Sequence, residues 1–155
     1  MTNVTKHSLG IASGTGKTIV VVPKDTPLPV QRTLTVTTAG DKQRNIGLVV
    51  VMGERPQAED NYQLSRIRLD DIEPGLRGEA TVKLTFRGFA NGLWSVGIRY
   101  RANLPEQHLS IIPSAGFSKT ELGIIQEKAA KYIEDNILEE EAPPVTEDII
   151  PLPAI

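Results

Sequence analysis

The feature that most constrains this chain is a series of short apolar and polar alternations between residues 17 and 100. Leu34, Val36 and Thr38 alternate with Thr33, Thr35 and Thr37. Ile46, Leu48, Val50 and Met52 form a second set. Ala80, Val82, Leu84 and Phe86 form a third, and Trp94, Val96, Ile98 and Tyr100 a fourth. A period of two sends alternate side chains to opposite faces, so each set marks one face of a strand. Thr18 to Val22 is a β-branched run stopped by Pro23, and Leu109 to Ile112 reads as a last strand. Val49, Val50 and Val51 are apolar in succession, which predicts a strand covered on both sides. The breaks at Asp25 to Pro29, Gly40 to Lys42 and Glu73 to Gly75 carry turn chemistry. Asn91-Gly92 is the strongest hairpin signal. Short strands at this spacing predict a mainly β chain, an antiparallel sandwich or barrel.

At Ser118 the period changes. Ser118 and Glu121 have the spacing of a capping box, with Phe117 and Leu122 placed as its hydrophobic staple. Leu122, Ile125, Ala129, Ile133 and Ile137 then recur three or four residues apart, which predicts a helix over 119–139 laying one stripe on the sheet. Pro143 and Pro144 stop it. The expected organisation is a sandwich over 1–117, a packed helix over 118–141 and a flexible, proline-rich apolar tail over 142–155.

The chemistry legible in the residues is sparse. With 155 residues, a formal net charge of -2 and 23% charged residues, the chain lacks the basic excess of a nucleic-acid or anionic-membrane binder. It contains no cysteine, which removes disulfides, thiolate metal sites and a cysteine nucleophile. No signal-peptide core or membrane-length apolar run is visible, so a cytoplasmic protein is expected. Ser13 to Thr18 looks like the end of a phosphate-binding loop. However, Ile11 stands at the first glycine position, and a β-branched run follows where a helix should open. A glycine-rich hairpin loop is the better reading. His7 and His108 share no ligand spacing, and Asp70-Asp71 and Glu139 to Glu141 read as solvated charge. No catalytic residue, metal site or cofactor is expected, and the chain is read as a non-enzyme.

Several motifs in fixed register resemble one family. They are Ser8-Leu-Gly-Ile11; Gly53-Glu-Arg55 followed by Ala58 and Asp60-Asn61; and Leu64, Ile67, Leu69, Ile72, Pro74 and Arg77-Gly78. Val82, Leu84 and Phe86 ahead of Asn91-Gly92 and Val96, then Gly116-Phe117, complete the series. The pattern is similar to the substrate-binding domain of the seventy-kilodalton heat-shock (DnaK-type) chaperones, from Val4 to about Asp135. The resemblance implies a two-layer antiparallel β-sandwich with one C-terminal helix that binds extended, leucine-rich segments of unfolded protein. It implies a central pocket lined by Ile11, Val36, Ile46, Leu48 and Val82, and an arch formed by Gly14 and Ala39. Ser13, Thr37 and Gln43 would stand near the peptide backbone. Asp41 and Arg77 resemble the pair that latches the family's helical lid. Gly14 and Val36 replace a larger and an aromatic side chain respectively. The family's ATPase domain and most of its lid have no counterpart in the sequence. An ATPase partner would therefore lie on another chain or in a missing N-terminal region.

Two readings of function stay open. One is chaperone-type binding of unfolded segments without ATPase activity in this chain. The other is a structural, oligomerising or partner-docking sandwich that has lost the groove. The stretch from Ile149 to Ile155, apolar with a central leucine, resembles a client itself. It is expected either to fill a groove, its own or a neighbour's, or to remain a disordered tail.

Overall fold

The computed structural model describes residues 4–70, 72–89, 93–100, 107–111, 119–136, 143–146 and 148–154. Two sheets face each other. The first has the order β2 (Thr18–Val22), β1 (Leu9–Ala12), β4 (Ile46–Met52) and β5 (Tyr62–Leu69). The second has the order β8 (Gln107–Ile111), β7 (Trp94–Arg99), β6 (Thr81–Gly88), β3 (Val30–Thr38) and β9 (Ile150–Leu152). Neighbours are antiparallel except β3 and β9, which run parallel.

The alternations behave as a period of two requires. Leu34 pairs with Leu84 and Val36 with Val82, so these residues share the inner face of the second sheet. Phe86 opposite Val96, and Leu84 opposite Ile98, extend it. Leu9 and Ile11 of β1, with Ile46, Leu48 and Val50 of β4, supply the facing layer, and all five are fully buried. Both layers belong to one contiguous apolar cluster. Full burial of each such side chain contributes about 1.5–3 kcal/mol, which makes this interface the main source of stability. Val51 on the other side of β4 is also buried, in accord with the two-sided reading of that strand.

The glycine-rich loop at 13–17 closes the β1–β2 hairpin. Ser13 N–H donates to Lys17 O at 2.8 Å, and Gly16 takes a φ of 84° that favours glycine. Gly10 is required by proximity: a Cβ there would lie 2.6 Å from Ile19 O on β2.

Helix α1 spans Lys119–Asn136 and contacts β8. Ala129 and Ile133 of the predicted stripe are buried. Tyr132 meets Phe89 edge to face, with ring centroids 5.4 Å apart. The expected cap at Ser118, its staple residue Phe117, the Asn91-Gly92 turn, Ile137 and the Glu139 to Glu141 run lie outside the described residues. Phe89 N–H donates to Leu93 O at 2.9 Å across the β6–β7 connection.

Three strands have no counterpart in the alternation pattern. β1 is short and interrupted by Gly10. In β5, the apolar phase slips between Leu64 and Ile67. Val50 pairs with Ser65 and Val51 with Gln63, so Leu64 is the extra residue of a bulge. β9 falls in the segment read as a flexible tail. Residues 150–152 are instead an ordered strand of the second sheet.

Candidate functional site

In β3, Leu34 and Val36 alternate with Thr33, Thr35 and Thr37, so one face of the strand is apolar and the other carries hydroxyls. Its second edge forms the site. Val36 pairs with Ile150, Thr37 with Pro151 and Thr38 with Leu152. Upstream, Thr33 N–H donates to Pro143 O at 3.0 Å, and Val145 N–H donates to Thr33 O at 2.8 Å. Residues 143–145 and 150–152 thus follow β3 in the same direction, from Thr33 to Thr38.

The register puts Ile150 and Leu152 on the inner face with Val36. Leu152 is 0% exposed and Ile150 9%. Both belong to the cluster that contains Ile11, Val36, Ile46, Leu48 and Val82, the residues named as a central pocket from the sequence. Pro151 and Pro153 point outward and are exposed.

Polar groups hold the backbone of this segment. The Gln43 carboxamide is their hub. Its oxygen accepts from Ala39 N–H at 3.1 Å and Gly40 N–H at 3.2 Å, fixing the β3–β4 loop. Its nitrogen donates to Asn45 O at 2.6 Å and to Leu152 O at 2.9 Å. From β4, Gly47 N–H donates to Pro153 O at 2.8 Å. A carboxamide offers both a donor pair and an acceptor, so one side chain can order a loop and grip a passing carbonyl.

The other expected residues are placed as follows. Gly14 flanks the segment: a Cβ there would stand 3.7 Å from Pro151 O and 3.7 Å from Pro153 Cδ. Ser13 is engaged within its hairpin, its hydroxyl 2.9 Å from Thr15 Oγ1 and accepting from Lys17 N–H at 3.1 Å. The Thr37 hydroxyl donates to Ala80 O at 2.6 Å, so Thr37 meets the segment only as a ladder partner. Among the described residues, Asp41 and Arg77 meet through the backbone, with Arg77 N–H donating to Asp41 Oδ1 at 2.8 Å. Lys42 N–H donates to Gly75 O at 2.7 Å, and Gly78 N–H to Thr38 Oγ1 at 3.1 Å, so Asp41 helps join two loops beside β3.

Gly47 was not legible as a site residue, because a backbone donor leaves no side-chain signature. Ile150 was legible only as part of an apolar tail.

Elsewhere, Glu54 accepts from Ser8 N–H at 2.8 Å, and His7 Nδ1 lies 3.6 Å from its other oxygen. Hydrogen bonds from Ser8 hold its carboxyl below the usual carboxylate range, with a smaller contribution from the neighbouring His7. Among the described residues, no group of three His, Asp or Glu side chains could hold a metal ion. No described helix is long and apolar enough to cross a membrane.

Fold and site together define a two-sheet β-sandwich that carries an extended apolar segment along a strand edge. The sequence model of the Hsp70 protein family matches residues 1–147. The chain belongs to that family. It is 35% identical over 127 residues to the chaperone protein dnaK of Emiliania huxleyi, an overlap covering 82% of this chain and 20% of the relative. It is 32% identical over 134 residues to chaperone protein DnaK of Elusimicrobium minutum, covering 86% of this chain and 22% of the relative. The corresponding protein of Picrophilus torridus is 33% identical over 134 residues, with the same coverage of 86% and 22%. The chain spans about a fifth of the length of these relatives.

Proposed function

We infer that this chain is the peptide-binding portion of a DnaK-type chaperone, and that its groove binds extended apolar segments of unfolded proteins. One observation carries the reading: Leu152, on a segment that follows β3, is fully enclosed in the cluster that contains Ile11, Val36, Ile46, Leu48 and Val82. The printed names of the relatives, all chaperone proteins, support the same reading.

The energetics suit a weak and tolerant binder. Burying one leucine contributes about 1.5–3 kcal/mol. Each hydrogen bond to the segment's carbonyls adds roughly 1 kcal/mol. Ordering a disordered segment costs about 2–5 kcal/mol. Gln43 and Gly47 read carbonyls, which every residue carries, so selection rests on the apolar side chain. No step of chemistry is assigned to these residues: the groove contributes apolar surface and neutral donors. Any ATP coupling would come from outside the residues described here.

A second reading, a partner-docking sandwich with no exchangeable groove, is favoured by the same segment already filling the site. Fluorescence anisotropy separates the two. A labelled leucine-rich peptide is titrated with the full chain, with Leu152→Asp, and with Leu48→Ala. Saturable binding, competed by unlabelled peptide and weakened by Leu48→Ala, is expected. No binding by any of the three at millimolar protein rejects the peptide-binding reading and leaves the docking sandwich.

A further inference from the structure

We propose that residues 149–154 are the resident ligand of the groove, a tethered segment that an outside segment must displace. This rests on the peptide-groove reading above. The segment has the attributes of a ligand. Its apolar side chains alternate: Ile150 and Leu152 face inward, while Pro151 and Pro153 face solvent. Proline has no N–H, so Ile150 and Leu152 supply the only backbone donors along 150–153. The hold therefore leans on donors from the sandwich, the Gln43 carboxamide to Leu152 O and Gly47 N–H to Pro153 O.

These contacts also specify what an outside ligand must be. It is an extended segment running parallel to β3, with a leucine opposite Thr38 and a branched aliphatic residue opposite Val36. Proline is accepted on either side of the leucine, because the contacts at Pro151 and Pro153 use carbonyls or face solvent. Gly14 contributes to this tolerance. The 3.7 Å left between its Cβ position and Pro153 Cδ is ordinary contact distance, so a ring fits beneath the loop.

Tethering decides how strongly the segment competes. A short connection gives an effective concentration of about 1 mM. Against a site with a dissociation constant of about 10 μM, that lowers the apparent affinity for an outside ligand roughly 100-fold.

The test uses a labelled peptide with the sequence of residues 148–154, read by anisotropy. The full chain and its Leu152→Asp variant are titrated side by side, with an unrelated leucine-rich peptide run in parallel. Leu152→Asp is expected to bind the tail peptide roughly 100-fold more tightly than the unaltered chain. Equal affinity in the two proteins overturns the proposal. Binding of the leucine-rich peptide without any binding of the tail peptide also overturns it, while leaving the groove reading standing. Binding of neither peptide by either protein removes both. If a thermal melt shows Leu152→Asp unfolded, Leu152→Ala takes its place, with roughly tenfold tighter peptide binding expected and unchanged affinity overturning the proposal.

Discussion

β3 has a neighbour on each side, and the two sides are built differently. Toward β6 it pairs antiparallel along the whole span from Val30 to Thr37, with Leu34, Val36, Val82, Leu84 and Phe86 behind the ladder. Toward β9 it pairs parallel, over a three-residue strand with proline in its middle. The first side is the sandwich itself. On the second, burial of Leu152 and Ile150 contributes about 3–6 kcal/mol. Fixing the backbone of those three residues costs about 3–6 kcal/mol in return. The two nearly cancel, and the hydrogen bonds to Gln43 and Gly47 tip the balance. A strand can therefore be complete in its sheet and still be removable. What decides this is the length of the ladder and the number of donors the chain itself brings.

Substitutions on the two sides should separate them. Leu84→Ala, on the β6 side and fully buried, should cost about 2–5 kcal/mol. It should lower the melting temperature by roughly 4–20 °C, at 2–4 °C per kcal/mol. Leu152→Ala removes an equally buried leucine, yet its cost is capped by the docking free energy of β9, since the segment can leave. A fall of about 3–5 °C is expected from a roughly tenfold weaker docking, with faster hydrogen exchange at the Gly47 amide. A loss equal to that of Leu84→Ala would make β9 an integral strand and erase the distinction.

Gly14→Ala should act in the opposite direction. The added methyl meets Pro151 O and Pro153 Cδ at contact distance. The substitution also restricts the unfolded chain, for a gain of about 0.4–1 kcal/mol. The melt should rise by about 1–4 °C, and an outside peptide should bind a few-fold more weakly. The smallest effect is expected at Glu54, on the first sheet's side and away from β9. Its folded carboxyl is depressed by Ser8, so its contribution is complete above the ordinary carboxylate value and is lost as pH falls through the lowered folded value. Melts from pH 7 to pH 3 should therefore show wild type losing a small advantage over Glu54→Gln at the acid end. Peptide affinity at neutral pH should be the same in both.

The parts of the fold that were legible are those where a long strand keeps one phase. β3, β4, β6 and β7 each keep one alternating apolar set turned inward, and those alternations name the inner residues without further help. β5 was hidden because the bulge at Leu64 shifts its phase midway, and β1 because Gly10 carries no side chain to mark a face. The apolar side of the site was within reach, since Val36, Ile46, Leu48 and Val82 are inward positions on legible strands. Its polar side was only partly so. Gln43 is informative as a residue type, whereas the Gly47 N–H is invisible in a sequence. β9 escaped because two prolines argue against any strand that must donate at every position. It forms because its carbonyls do much of the bonding.

The two prolines have a consequence for colloidal behaviour. A long strand with one open side presents a row of unpaired amides and carbonyls, a template on which another molecule's strand can grow. With β9 docked, the border strand on the β3 side of the second sheet is three residues long, and its central residue, Pro151, has no N–H to offer. Growth of the sheet from one molecule to the next stops there. When an incoming segment displaces β9, that segment becomes the new border of the sheet. In the interval between the two, the bare side of β3 is open to self-association, so the chain is most prone to aggregate when it has just released one occupant and not yet taken the next.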